Sequence, residues 1–256
     1  MHQYCINPSA PSRSRDRAAS RAAAVPDPTA LPKHVQISEM LIRDIQAGRL
    51  VAGERLPPER EMAAQLGIAV GTLRKALATL TEQGLLQRIQ GSGNYIRDTG
   101  KPTGIYAFFR LETPEGGGLP TARVISVERL AKPAHLPRFG ADREAHRIRR
   151  VRRLNGVPVA LEEIWLDGAW AEELSAAELS ESLYWFYAHR LGLRIMRAED
   201  RIGVGEMPGW GDEPELVAGR PCGLVERSSL DQEGRVAEVS FTWFDPERAR
   251  YVSRLR

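Results

Sequence analysis

A chain of 256 residues, 42% apolar and 27% charged, can bury real cores and is long enough for two ordinary domains. No run approaches the roughly 18 uninterrupted apolar residues of a membrane helix, and Cys5 and Cys222 are the only cysteines, which excludes a disulfide framework or a Cys-rich metal site and fits a reducing cytoplasm. The net charge of +3 is mild, yet residues 32–97 hold nine Lys/Arg against six Asp/Glu and so carry all of it.

Residues 1–31 contain Arg13, Arg15, Arg17 and Arg21 among Pro, Ser and Ala, with no following hydrophobic core of the kind a secretory signal needs. They read as a disordered arm. From Lys33, Ile37, Leu41 and Ile45 recur at helical spacing until Gly48. Pro58 sits where a second helix can begin without losing a hydrogen bond, and Glu59 and Glu61 suit the positive end of that helix. Met62, Ala63 and Leu66 give it an inward face before Gly67. A third helix is expected from about Gly71 to Gly84, with Leu73, Leu77 and Leu80 on one side. LLQRI and NYIR then read as two strands joined by QGSG, a wing. Charge alone marks only a solvated face. Thr72, Arg74, Lys75 and Thr79 lie off the leucine stripe, however, near the start of a helix that fits a major groove. Arg60 could reach a phosphate, and the wing glycines would let backbone approach DNA closely.

The segment LPPEREMA, Gly67, IAVGTLRKAL, Gly84 and RIQGSGNYI closely resembles the winged helix-turn-helix of GntR-type transcription regulators. That resemblance implies double-stranded DNA as a partner, with contacts from Arg60, Thr72, Arg74, Gln90 and Gly91. The family pattern usually has Ser-Arg where this chain has Ala69-Val70, so a helix-capping hydroxyl and one DNA-gripping arginine are missing.

DTGKPTG and TPEGGGLP bracket one short apolar piece, IYAFFRL, and mark residues 98–121 as a linker. Residues 122–256 alternate strand-like runs with little helix. ARVISVERL, RIRRVRRL, VPVALEEIWL, RAEDRIGVG, CGLVERSSL and RVAEVSFTWF are the strands, SESLYWFYAHRLG the helix, and Asn155-Gly156 a strong hairpin signal. The fold class expected is thus a mixed α/β two-domain chain, with a C-terminal α+β antiparallel sheet.

RIRRVRR places five arginines in one strand, most simply as a solvent-facing row. Alternation puts Ile148, Arg150, Arg152 and Leu154 on one face and Arg147, Arg149, Val151 and Arg153 on the other, so whichever turns inward brings arginines that need anionic partners. Glu162 or Glu163 could supply part of this and a bound anion the rest. Ser180 or Ser182 stands at a helix start, either as a plain cap or as part of an anion site.

Residues 122–245 are similar, in the order and spacing of these pieces, to the effector-binding domain of the HutC branch of the same family, a domain that folds like chorismate lyase and binds small ligands without catalysis. The resemblance implies a ligand wall of Arg150, Arg152, Glu162, Ser182, Tyr184 and Glu238, with Phe244 where many relatives have a tyrosine. For Glu162 to share a face with the arginines, the Asn155-Gly156 turn would have to be a three-residue loop with Gly156 in a bulge.

His34, His135, His146 and His189 lack metal spacing, Trp165, Trp170, Trp185, Trp210 and Trp243 suit packing, and GSG at 91–93 is no phosphate loop. No cofactor or metal is expected. The reading is a homodimeric repressor on a palindromic operator, released by a small anionic effector such as a sugar phosphate or sugar acid. The rivals are a lyase or isomerase using the arginine pocket, and a constitutive DNA-binding protein whose C-terminal half only dimerises.

Overall fold

The computed structural model describes residues 31–97 and 108–254. The expected arm up to residue 30 and the linker stretch 98–107 lie outside the described residues.

Three helices build the head: α1 (Lys33–Gln46), α2 (Glu59–Gln65) and α3 (Val70–Glu82). The helical stripe predicts the core well. Ile37, Leu41, Ile42 and Ile45 of α1 pack on Leu73, Ala76, Leu77 and Leu80 of α3, with Met62 and Ala63 of α2 between them. Gly67 and Gly84 adopt positive φ (63° and 73°) and turn the chain out of α2 and α3, a conformation side chains disfavour. Pro58 is the residue before α2 rather than its first, extended at φ −51° and ψ 138°. Strands β1 (Leu86–Ile89) and β2 (Gly93–Ile96) pair antiparallel as the wing, and Arg55 bridges to Tyr95 along its edge.

Behind the head, β3 (Leu111–Glu112) pairs with β10 (Arg250–Tyr251), so part of the stretch expected to be linker belongs to the C-terminal domain. The main sheet has six antiparallel strands in the order β4-β5-β6-β9-β8-β7: β4 (Pro120–Ala131), β5 (Glu144–Leu154), β6 (Val157–Asp167), β7 (Arg197–Glu206), β8 (Pro221–Leu230) and β9 (Val236–Phe244). On one face a single helical turn, α4 (Leu183–Phe186), continues as a π-turn over Tyr187–Leu191 and packs Leu183, Phe186 and Tyr187 on Ile148, Ile164 and Ala237. The opposite face buries Val151, Leu161, Met207 and Cys222 beneath Trp210 and Trp243. Trp165 is core, as its size suggests, whereas Trp170 and Trp185 are half-buried. Strand β7 forms one edge and leaves Ile202 and Val204 exposed.

The β5–β6 hairpin corrects the expectation about register. Leu154 pairs with Val157 across a two-residue turn, Asn155 and Gly156 both having positive φ (51° and 82°). A two-residue turn alone would put Glu162 on the wrong face. The ladder instead slips between Arg152 and Arg153: Arg153 faces Pro158, Arg152 faces Ala160, and Val159 is the extra residue. This bulge inside the strand, not one at the turn, restores the parity that sets Arg150 opposite Glu162.

Candidate functional site

Two cationic sites stand on these frames. On the head, the start of α2, the exposed side of α3 and the wing form a groove lined by Arg55, Arg60, Arg74 and Arg88, with Glu59, Gln90, Gly91 and Asn94. Arg60, Arg74, Gln90 and Gly91, expected at DNA, meet here. Thr72 and Lys75 stand elsewhere on α3, half-buried and exposed respectively. Glu59 organises the groove: its carboxylate accepts from Arg74 Nε at 2.6 Å and lies 3.4 Å from Arg88 Nη2. The hydrogen bond from Arg74 holds that carboxyl below its ordinary range. Sequence reasoning left Arg55, Glu59 and Arg88 out of the site, although their types and their places at turns were visible. No side chain caps α3, since Ala69 precedes it, as the missing hydroxyl implies.

The second site is a cavity on the α4 face of the sheet. Arg150, Arg152, Glu162, Ser182, Tyr184 and Glu238 all line it, together with Arg227, Ser240 and Thr242. The inward face of β5 is the one carrying Arg150 and Arg152, 3% and 6% exposed. One carboxylate serves both: Glu162 Oε2 accepts from Arg150 Nη2 at 2.7 Å and sits 2.9 Å from Arg152 Nε. Burial alone would raise the Glu162 carboxyl, but Arg152 and Arg150 overcome it and hold it down at about 2. Both guanidinium groups also donate from Nη1 to the main-chain oxygen of Glu181, at 3.2 and 3.3 Å.

Donors remain. Arg150 Nε is buried with no acceptor, as is Arg147 Nε on the other face of β5, whereas Arg152 Nε lies 2.9 Å from Glu162 Oε2 in an ion pair. Two buried guanidinium groups thus share one carboxylate, and a buried N–H without a partner, as at Arg150 Nε, is rare and unfavourable. Across the cavity the groups differ. Glu238 accepts from Tyr187 at 2.8 Å, Ser229 at 3.1 Å and Tyr184 at 3.2 Å. Burial pushes its carboxyl above the ordinary range despite those donors. Arg227 is taken up by Asp200 through two bonds of 2.5 and 2.6 Å, and Tyr251 donates to the same carboxylate at 2.6 Å.

One sequence expectation changes. Phe244 is not on the cavity wall; its ring packs where a Cβ on Gly223 would fall 2.2 Å away, in an apolar cluster with Leu154, Val159 and Val225. The helical stretch after Ser182, α4 with its π-turn continuation to Leu191, follows the expected segment, and the serine hydroxyl caps it by accepting from Trp185 N at 3.4 Å. Tyr187 and Glu181 were passed over in the same segment that supplied Ser182 and Tyr184, while Arg227 and Ser229 were missed because the chain order does not reveal that β8 borders the cavity. Among the described residues no three His, Cys, Asp or Glu are placed to hold a metal, and no helix is long and apolar enough to cross a membrane.

The pattern of the gntR family of bacterial regulatory proteins matches residues 33–96, and that of the UTRA domain matches residues 115–250. The HTH-type transcriptional regulator SmoD of Agrobacterium fabrum is 59% identical over 229 residues, spanning 88% of this chain and 97% of that protein. The mannosyl-D-glycerate transport/metabolism system repressor MngR of Escherichia coli is 29% identical over 229 residues, spanning 86% and 95%. The ligand-binding domain of a GntR-family transcriptional regulator from Bordetella bronchiseptica shares the fold, with a TM-score of 0.50 at 24% identity over 57% of this chain and 96% of that one.

Proposed function

The chain belongs to the gntR family of bacterial regulatory proteins, of the HutC type with a UTRA domain, and from that premise we propose a repressor whose head leaves its operator when an anionic, hydroxyl-bearing metabolite fills the arginine cavity. The observation that carries this is the pair of buried guanidinium groups, Arg150 and Arg152, that share the single carboxylate of Glu162 at the cavity, with Arg150 Nε left without an acceptor. A phosphate or carboxylate oxygen would supply what they lack. Glu238, with its ring of Tyr184, Tyr187 and Ser229, lies across the cavity in a position suited to sugar hydroxyls. One relative is named for mannosyl-D-glycerate, itself a sugar carrying a carboxylate, which agrees with this chemistry.

The DNA partner is a palindrome bound by a homodimer. One head of three short helices makes few contacts, and two related by a twofold axis match two half-sites. The relatives are transcription regulators, which answers the rival reading of the cavity as a lyase or isomerase site.

The test is thermal unfolding with a panel of sugar phosphates and sugar acids, followed by operator binding with any that stabilise the protein. A ligand at 100 times its Kd should add about 2.7 kcal/mol of stability and should free the DNA. A panel member that stabilises Arg150→Ala as much as the natural chain overturns the assignment of the cavity, and a ligand consumed during incubation favours the enzyme.

A further inference from the structure

We infer that Arg43 of α1 and Glu181 beside the cavity are positioning residues that carry the state of the arginine pocket to the DNA-binding head. The inference rests on the reading of that pocket as the effector site and names how it is read out.

Helix α1 has two faces with different obligations. Ile37, Leu41, Ile42 and Ile45 bury themselves in the head. Arg43 turns away from that core and is nevertheless only 7% exposed. Its Nη2 donates to Leu111 O at 2.7 Å and its Nη1 to Gly118 O at 3.0 Å, both in the segment that leads into the C-terminal sheet. Its guanidinium lies 4.9 Å from the centre of the Phe109 ring, and the guanidinium of Arg152 lies 4.7 Å from the same ring. One aromatic ring is therefore shared by a head arginine and a pocket arginine.

A second contact joins the same two parties. The Glu181 carboxylate accepts from Leu31 N at 3.2 Å and from Gln36 Nε2 at 3.4 Å, at the start of α1. Gln36 Nε2 also donates to Leu31 O at 2.8 Å, which ties the helix start together. The main-chain oxygen of this same Glu181 is the acceptor for Arg150 and Arg152. A residue whose carboxylate holds the head and whose carbonyl holds the pocket senses both.

An anion bound to Arg150 and Arg152 competes with Glu181 O for their Nη1 donors and draws Arg152 from its place over Phe109. Each displacement loosens one of the two ties on α1. A further tie just past α1, Arg49 to Glu112 at 3.0 Å, is half-exposed on the arginine and does not reach the pocket. Coupling of this kind needs only a difference between two discrete arrangements, and values of about 1–3 kcal/mol are typical of allosteric proteins.

The test is hydrogen–deuterium exchange on the ligand-free full chain, comparing Arg43→Gln, Arg152→Gln and the double variant. If the ties are one device, Arg152→Gln, altered only in the pocket, speeds exchange across residues 31–46 by about as much as Arg43→Gln, and the double variant adds nothing further. Exchange in α3 stays at the natural rate, which separates undocking from unfolding of the head. Natural exchange over residues 31–46 in Arg152→Gln, or full additivity in the double variant, overturns the inference. Should Arg152→Gln fail to fold, Arg152→Lys, which keeps a charge for Glu162 but loses the guanidinium over Phe109 and its bond to Glu181 O, replaces it with the same two outcomes. Sulfate is added in parallel to the natural chain as a thermal-shift probe. Its failure to stabilise counts against the pocket reading alone, because the exchange comparison uses no ligand.

Discussion

The arginines of the head and those of the cavity are one residue type under opposite conditions. Around Glu59, Arg74 and Arg88 keep side chains 60% and 68% exposed, so that one carboxylate fixes their direction while leaving their charge to solvent. Around Glu162, the side chains of Arg150 and Arg152 are only 4% and 7% exposed, and two buried guanidinium groups share one carboxylate instead. Exposed cations act on a polyanion over a Debye length and are weakened by salt. Buried cations act at hydrogen-bond range and select one geometry. The first arrangement suits a long duplex, the second a small ion.

The largest effect is expected at Arg150. Removing one partner of a buried ion pair commonly destabilises by about 3–5 kcal/mol, and Arg150→Ala should fall near the lower figure because Arg152 still faces Glu162. Denaturant unfolding reads this, and the variant should keep operator binding while losing release by effector. Loss below 1 kcal/mol would mean that the pair is already solvated. In the head, Arg74→Ala should weaken specific binding by about 1–3 kcal/mol and relax base preference with no change in stability, as measured by fluorescence anisotropy. An unaltered preference would remove α3 from the reading of bases.

Acid distinguishes the two carboxylates of the cavity. Glu162, held down at about 2, contributes stability that is complete above its unfolded value of about 4.3 and is lost as pH falls from there toward about 2. Glu238 shifts the other way, raised by burial, and the groups facing it are Tyr184, Tyr187, Ser229 and Arg150. As pH falls, its protonation removes a negative charge from the cavity before Glu162 titrates. Sulfate should therefore bind more tightly, by calorimetry, as acid protonates Glu238; a flat profile would place Glu238 outside the anion's reach. The smallest effect is expected at the helix cap: Ala69→Ser should stabilise the head by about 1 kcal/mol through the missing N-cap bond.

The head was nearly legible in the sequence because its helices are local and their apolar residues keep a 3.6-residue period. Helix ends moved by a residue or two, as Pro58 and Val70 illustrate. In the C-terminal domain, alternation along β5 was enough to separate Arg150 and Arg152 from Arg149 and Arg153. The partner was harder. Glu162 reaches the arginines through an extra residue at Val159, and a bulge inside a strand leaves no mark of the kind a turn leaves in Asn-Gly. Phe244 shows the opposite failure: its place was inferred from likeness alone, and packing beside Gly223 decided otherwise. Arg43 was invisible as a contact, since a lone arginine on an amphipathic helix reads as solvated until a second domain closes over it.

The most direct test of the whole account is anisotropy of a labelled fragment from the chain's own upstream region, with the natural protein and Arg150→Ala, before and after adding the metabolite that stabilises the natural protein most. Expected are equal binding without the metabolite, release of the natural protein with it, and retention of Arg150→Ala on the DNA. Equal release of both proteins, or no binding of any such fragment at low ionic strength, would contradict it.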